Sequence, residues 1–159
     1  MGAAASYYLA KSGAKVLGIE QFGISHENGS HAGQSRIIRK AYFEHPDYVP
    51  LLKRAYHNWK QLENEVGSQL YFQTGLVYAG KPGGVLIKGV KESAKQYNIP
   101  LEEIDQTECT NRFPSFTIPE NFEILFEPDA GFLTPERCIL AFTELAIKSG
   151  ATIHTQEQL

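Results

Sequence analysis

The feature that most restricts the fold is the start of the chain. Met1 to Ser12 is a run of helix formers centred on Ala3-Ala4-Ala5, Gly13 follows, and Val16-Leu17-Gly18-Ile19-Glu20 is a short apolar run ending in an acid. Alanine has the highest helix propensity, small residues permit close packing, and glycine ends a helix in the left-handed conformation without steric cost. A short apolar run bounded by turn residues reads as a buried parallel strand. Helix, turn, strand and acid make one unit of a layered α/β fold. The strand that should precede that helix is not among the 159 residues, so the sheet is expected to be incomplete.

The rest of the chain alternates between helical and β-rich segments. Gln21 to Gly33 is polar and turn-rich. Pro46 to Gly67 reads as a long amphipathic helix, because Val49, Leu52, Tyr56, Trp59, Leu62 and Val66 recur at steps of three and four. Asp47 is its expected N-cap, and Pro50 is tolerated in the first turn. Leu70-Tyr71-Phe72 and Gly75 to Ala79 are β-rich, and Lys81-Pro82-Gly83-Gly84 makes a turn. Leu86 to Tyr97 is a predicted helix with Leu86, Val90, Ala94 and Tyr97 on one side. Phe122 to Phe126 alternates as a strand does and is broken by Pro128 and Gly131. Thr134-Pro135-Glu136 opens a last helix with a hydroxyl N-cap, proline at the first position and an acid at the positive dipole end. That helix stops at Gly150 and leads into a strand at Ala151 to His154. There are no internal repeats or low-complexity segments.

Composition excludes several function classes. Fifteen basic against 18 acidic residues, a net charge of −3, gives no footing for nucleic-acid or polybasic membrane-surface binding. No apolar run approaches the ~18–20 residues of a membrane span. No basic, apolar, cleavable leader precedes the first helix. Cys109 and Cys138 are too few for a disulfide framework and lack metal-site spacing, which fits a reducing cytosol. His26, His45, His57 and His154 likewise show no metal-ligand spacing and read as surface or packing residues.

Two motifs carry chemistry. In a dinucleotide-binding unit the last glycine of a glycine-rich turn opens a helix, and an acid ending the second strand holds the ribose hydroxyls. Gly2 and Glu20 can be that glycine and that acid, 18 positions apart, while the first two glycines are missing. The second motif runs from Gly29 through Ser30-His31-Ala32-Gly33-Gln34-Ser35-Arg36-Ile37-Ile38-Arg39. On a helix, Arg36 and Arg39 would share one face and their planar forks could bind a carboxylate or phosphate. A surface turn carrying two solvated arginines explains the same residues. Asn28-Gly29-Ser30 is also a glycosylation sequon, in a chain without a secretory leader.

That second motif, followed by Ala41-Tyr42 and Tyr48-Val49-Pro50-Leu51, resembles the monomeric sarcosine oxidase and N-methyltryptophan oxidase family of FAD-dependent amine oxidases. The resemblance continues through Trp59, Thr74-Gly75-Leu76-Val77, Pro119-Glu120-Asn121 and Phe126-Glu127-Pro128-Asp129-Ala130-Gly131-Phe132-Leu133, in order along the whole chain. Members are more than twice as long and begin with a strand and a Gly-x-Gly-x-x-Gly turn that often ends Met-Gly, as Met1-Gly2 here. The resemblance therefore implies a fragment beginning inside that turn.

Carried over residue by residue, it implies cofactor-binding roles for Gly2 (phosphate turn), Glu20 (adenosine ribose), Ser30 and His31 (flavin-lining loop), and Arg36 and Ile37 (beside the isoalloxazine). Arg36 and Arg39 are the implied catalytic residues, Arg39 binding the substrate carboxylate. Members often have a second histidine where this chain has Ala32, so any role of that histidine is lost. The flavin-linking cysteine and the lysine of oxygen activation belong to the family's C-terminal half, and neither Cys109 nor Cys138 lies in the linking motif. The implied fold is α/β: an FAD-binding Rossmann-like domain without its first strand, plus part of a mixed α+β substrate domain. Residues 1–65 and 131–159 would belong to the former and 66–130 to the latter. The implied activity is oxidation of an N-methyl amino acid by O2 in a monomeric, cytoplasmic enzyme. Another amine or amino-acid oxidase of the superfamily, of glycine or pipecolate oxidase type, and a non-catalytic module with a decayed flavin fold are the alternatives. With its first strand missing, the 159-residue chain by itself is expected to hold no stable FAD, and a stoichiometric flavin spectrum after gel filtration would contradict this.

Overall fold

A computed structural model describes residues 1–158. The chain forms two compact units, the first from Met1–Arg36, Trp59–Tyr71 and Leu133 onward, the second from Ile37–Asn58 and Phe72–Phe132. These divisions fall at different points from the segments 1–65, 66–130 and 131–159 read from the sequence. The long helix runs through one of them, and residues 37–58 pack with 72–132.

In the first unit, helix α1 (Gly2–Lys11) leads through Gly13, at φ +89°, into strand β1 (Leu17–Glu20). Helix α5 (Pro135–Lys148) leads through Gly150, at φ +94°, into strand β8 (Thr152–Thr155). The two strands pair in parallel, Leu17 opposite Thr152 and Glu20 opposite Thr155. Among the described residues β1 has this one partner. Helices α1 and α5 pack on each other through Tyr7, Ala10 and Ala146, joined by Ala151 before β8, with Val16, Phe142, Leu145 and Ile153 around them. Alanines at the contact let the helix axes approach closely. Burial raises the pKa of the Tyr7 phenol, which donates to Glu65 and accepts from the Lys11 ammonium at 2.6 Å, so the end of the long helix is tied to α1.

The second unit is built on an antiparallel sheet in the order β4 (Leu76–Gly80), β6 (Glu123–Glu127), β5 (Glu102–Ile104). Leu76 faces Glu127, and Glu102 faces Phe126. Leu125 and Tyr78 on one side join Ile87, Val90 and Ala94 of helix α3 (Val85–Tyr97). Ile124 and Phe126 on the other join Cys109 of helix α4 (Gln106–Arg112). Phe122, Ile124 and Phe126 share the apolar side of the alternation, and Leu125, on the side of Glu123, is covered by α3, so β6 is buried on both faces. The remaining sheet has the order β2 (Arg36–Ile38), β7 (Gly131–Leu133), β3 (Tyr71–Phe72). Helix α2 (Val49–Val66) follows a 3-10 turn at Pro46–Tyr48. Among the described residues no helix is long and apolar enough to cross a membrane.

Two expected caps are corrected. The side chain that caps the entry to α2 is that of His45, whose Nδ1 accepts the Asp47 N–H at 3.2 Å. Pro46 takes the first helical position and so places His45, not Asp47, at the N-cap. Thr134 does sit at the N-cap of α5, but its hydroxyl makes no capping bond; its Oγ1 lies 3.4 Å from the Leu70 carbonyl oxygen.

Gly89, buried in α3, sits where a Cβ would overlap the carbonyl oxygen of Phe43. Helix propensity alone gives Gly→Ala a gain of ~1 kcal/mol. Gly89→Ala is expected instead to lower stability by about 2–3 kcal/mol, because backbone must move to admit the methyl; urea unfolding checks the sign.

Candidate functional site

The first unit contains a cavity of about 190 Å³ whose lining includes Gly2, Gly18, Glu20, Ser25, His26 and His31. Its chemistry follows from what each element presents. Helix α1 begins at Gly2 with no side chain capping its first-turn amides, so backbone donors and the positive dipole end face this space. A Cβ at Gly2 would meet nothing within 4 Å in the described chain, leaving its backbone open to close approach. Gly18 packs closely under the end of the Ile153 side chain, which a Cβ would displace.

Glu20 ends β1 with its carboxylate held locally. It accepts the Phe22 N–H at 2.9 Å and lies 3.2 Å from His26 Nε2. The Phe22 hydrogen bond, more than the charge of His26, holds the Glu20 carboxyl below the usual glutamate range. His26 Nδ1 accepts the Asn28 N–H at 3.1 Å, which leaves the proton on Nε2 facing Glu20. The His26 ring meets His31 edge-on at 5.2 Å, and His31 Nε2 is buried without a hydrogen-bond partner in the described structure. A buried ring nitrogen left unpaired costs free energy unless something else bonds it.

Arg36 closes the loop that carries His31. Its guanidinium donates to the carbonyls of Ser30 at 2.8 Å, Ala32 at 2.9 Å and Ser35 at 3.0 Å. Gly33, at φ +125°, supplies the left-handed residue the loop needs. Ile37 is 62% exposed while Ile38 beside it is buried, as alternation along β2 requires.

Arg39 belongs to the second unit. Its guanidinium lies 4.6 Å from the Tyr42 ring centre and 5.6 Å from that of Phe43, and Nη2 reaches Glu44 at 3.3 Å. Its Nε is buried with no partner in the described structure. The shared helix face considered for the two arginines is corrected: Arg36 to Ile38 is a strand. Arg36 turns back onto its own loop and Arg39 engages the aromatic residues after it.

The structure thus brings Gly2, Glu20 and His31 to one cavity and links Ser30 to Arg36, while Ile37 and Arg39 lie in the other unit. Sequence reasoning read His26 as a surface or packing residue, whereas it lines the cavity beside Glu20, and gave no role to the buried acid Glu127 or to Ser93 and Gly89 of α3. For Glu127 the signal was an acid closing the apolar run Ile124 to Phe126. Cys109 and Cys138 are free and buried, and burial pushes the Cys138 thiol up to about 11.

Uncapped helix amides, open backbone at Gly2, an ionised acid at the end of the adjacent strand and an unpaired ring nitrogen are donors and acceptors that fit a dinucleotide. A parallel strand pair under packed helices, with these groups at one end, defines an α/β dinucleotide-binding fold. The chain matches the FAD dependent oxidoreductase family over residues 1–159 and belongs to that family. It is 43% identical over 156 residues to monomeric sarcosine oxidase of Bacillus sp. (strain NS-129), covering 98% of this chain and 40% of that protein. It is 35% identical to N-methyl-L-tryptophan oxidase of Yersinia pestis (strain Pestoides F), covering 96% and 41%. Among solved structures it resembles NikD, described as an unusual amino acid oxidase, at a TM-score of 0.85 and 24% identity over 97% of this chain and 40% of that one. That likeness is one of fold. The chain spans about 40% of the length of these relatives.

The Glu20 contacts carry a pH dependence whose sign is fixed. Its carboxyl titrates lower in the fold than in the unfolded chain, so its contribution is present above the unfolded value and is lost as pH falls through the folded one. The Phe22 amide resonance is expected to shift with a midpoint below the ordinary 4.5, and to lose this titration in Glu20→Gln; NMR titration measures both.

Proposed function

We propose that this chain is the N-terminal part of an FAD-dependent oxidase of N-methyl amino acids, sarcosine oxidase-like, which converts the amine, O2 and water into the demethylated amine, formaldehyde and hydrogen peroxide. The observation that carries the reading is Arg39: a guanidinium on an aromatic platform with a buried Nε still lacking an acceptor. A substrate carboxylate would satisfy that donor and hold the N-methyl carbon in a fixed orientation.

In this reading residues 1–65 and 131–159 serve the FAD-binding domain and 66–130 the substrate domain. The amides at Gly2 hold the pyrophosphate and Glu20 accepts from the ribose hydroxyls. Ser30 and His31 line the flavin edge of the loop, and His31 Nε2 gains its missing partner there. Arg36, with Ile37 beside it, keeps that loop closed and contributes positive charge next to the ring system. Bound FAD supplies the two-electron redox chemistry, with O2 as final acceptor. The full-length protein is a cytoplasmic monomer. Ala32, in place of the second histidine common in such oxidases, makes this stretch less polar and favours a second reading: a related amino-acid oxidase, of glycine or pipecolate oxidase type, with a different amine. A purified full-length protein that is not yellow would instead point to a non-catalytic module.

Peroxide assays of the full-length flavoprotein with sarcosine, N-methyl-L-tryptophan and glycine separate these readings. Arg39→Ala is expected to raise KM for the preferred amino acid by about 10–100-fold, the loss of a charged hydrogen bond, with a smaller change in kcat. Equal KM values in wild type and variant would sink the assignment of Arg39.

A further inference from the structure

Glu127, at the end of β6, is fully buried, the one Asp or Glu in that condition among the described residues. Burying a carboxylate is costly unless hydrogen bonds replace its water. Glu127 finds two of them on one short segment and a third on β4. Its Oε1 accepts the Lys40 N–H at 2.7 Å, and its Oε2 accepts the Ala41 N–H at 3.2 Å and the Tyr78 hydroxyl at 2.6 Å.

The first of these amides belongs to the peptide bond that leaves Arg39. Gripping it sets the plane of that peptide and with it the direction in which the Arg39 side chain departs. The next residues are fixed in the same way. The Tyr42 carbonyl accepts the Ser93 hydroxyl at 2.5 Å, and the Phe43 carbonyl lies against Gly89, where no side chain would fit. Tyr42 and Phe43 are the rings on which the Arg39 guanidinium rests. The neighbouring cation is drawn elsewhere, with Lys40 Nζ pairing with Asp129 at 2.8 Å. Burial and the Glu127 charge raise the pKa of the Tyr78 phenol while the Arg39 charge lowers it, as three groups in one neighbourhood require.

We infer that Glu127 is a positioning residue for Arg39: by gripping the Lys40 and Ala41 amides, its buried carboxylate holds the guanidinium in the orientation that receives the substrate's carboxylate. The inference rests on the proposed role of Arg39 as the carboxylate-binding group. A glutamine could not substitute. It would turn an NH2 donor toward one of the two backbone N–H groups and break that contact at nearly constant volume.

The test uses the flavin-loaded full-length protein and two amines, one N-methyl amino acid and one N-methyl amine without a carboxylate. Acetate, followed by flavin absorbance, serves as an equilibrium probe of the carboxylate site. Glu127→Gln is expected to raise KM for the amino acid and Kd for acetate by about tenfold, with kcat less affected and the carboxylate-free amine turned over as before. In an Arg39→Ala background the same change should add nothing to either constant, because the two residues act through one contact. Equal losses toward both amines, or effects additive with Arg39→Ala, would reduce Glu127 to a residue of general stability and overturn the inference. Should Glu127→Gln fail to fold, Tyr78→Phe removes one donor and keeps the carboxylate; a smaller rise confined to acetate and the amino acid supports the inference, and an unselective loss overturns it. If Arg39→Ala itself spares the discrimination between the two amines, the reading of Arg39 falls and this inference with it. If Arg39→Ala is selective and Glu127→Gln is not, only the inference about Glu127 falls.

Discussion

The parallel pairing of β1 with β8 is the contact on which the architecture depends. Parallel strands cannot be joined by a tight turn; they need a crossover long enough to return the chain to the same end of the sheet. Here the crossover contains a whole second unit, with its own antiparallel sheet, before α5 brings the chain back. The alanines of α1 and α5 let the two helices pack closely, and that packing puts the start of α1 and the end of β1 on one cavity.

The two arginines of the 29–39 motif show why charge spacing alone does not identify a binding group. Both are forks with several donors, and both sit near the same turn in sequence. Arg36 spends its donors on three backbone carbonyls of its own loop, so it is structural before it is anything else. Among the described residues Arg39 has one carboxylate partner and aromatic faces, and its buried Nε has no partner. The side-chain environment, not the spacing, separates a guanidinium that clasps its own loop from one whose Nε has no partner among the described residues.

What was legible in the sequence was what local physics determines. The helix stops at Gly13 and Gly150, the apolar stripe of α2, and the strands at 17–20 and 152–155 follow from propensity and periodicity. The three-residue strands β2, β5 and β7 were not legible, since so short an extended stretch is defined by its partner rather than its composition. Helix α4 carries a local signal, an acid-x-x-acid cap in which Asp105 accepts the Glu108 N–H at 2.7 Å. Gly2 and Glu20 could be singled out because an α/β unit fixes where its glycine and acid fall. The burial of Glu127 and the tautomer of His26 depend on residues far along the chain or on hydrogen bonds that no spacing encodes.

The topology also orders the cost of assembly. Strands β4, β5 and β6 pair within one stretch of chain, whereas Leu17 must find Thr152 across nearly the whole of it. Closing that loop as a disordered chain would carry the largest entropic penalty in the molecule. Once the inserted unit is compact, the intervening residues no longer behave as a free coil, and the two strands are separated by a far shorter effective tether. Folding of the inserted unit first therefore offsets part of the closure cost that its own length imposes.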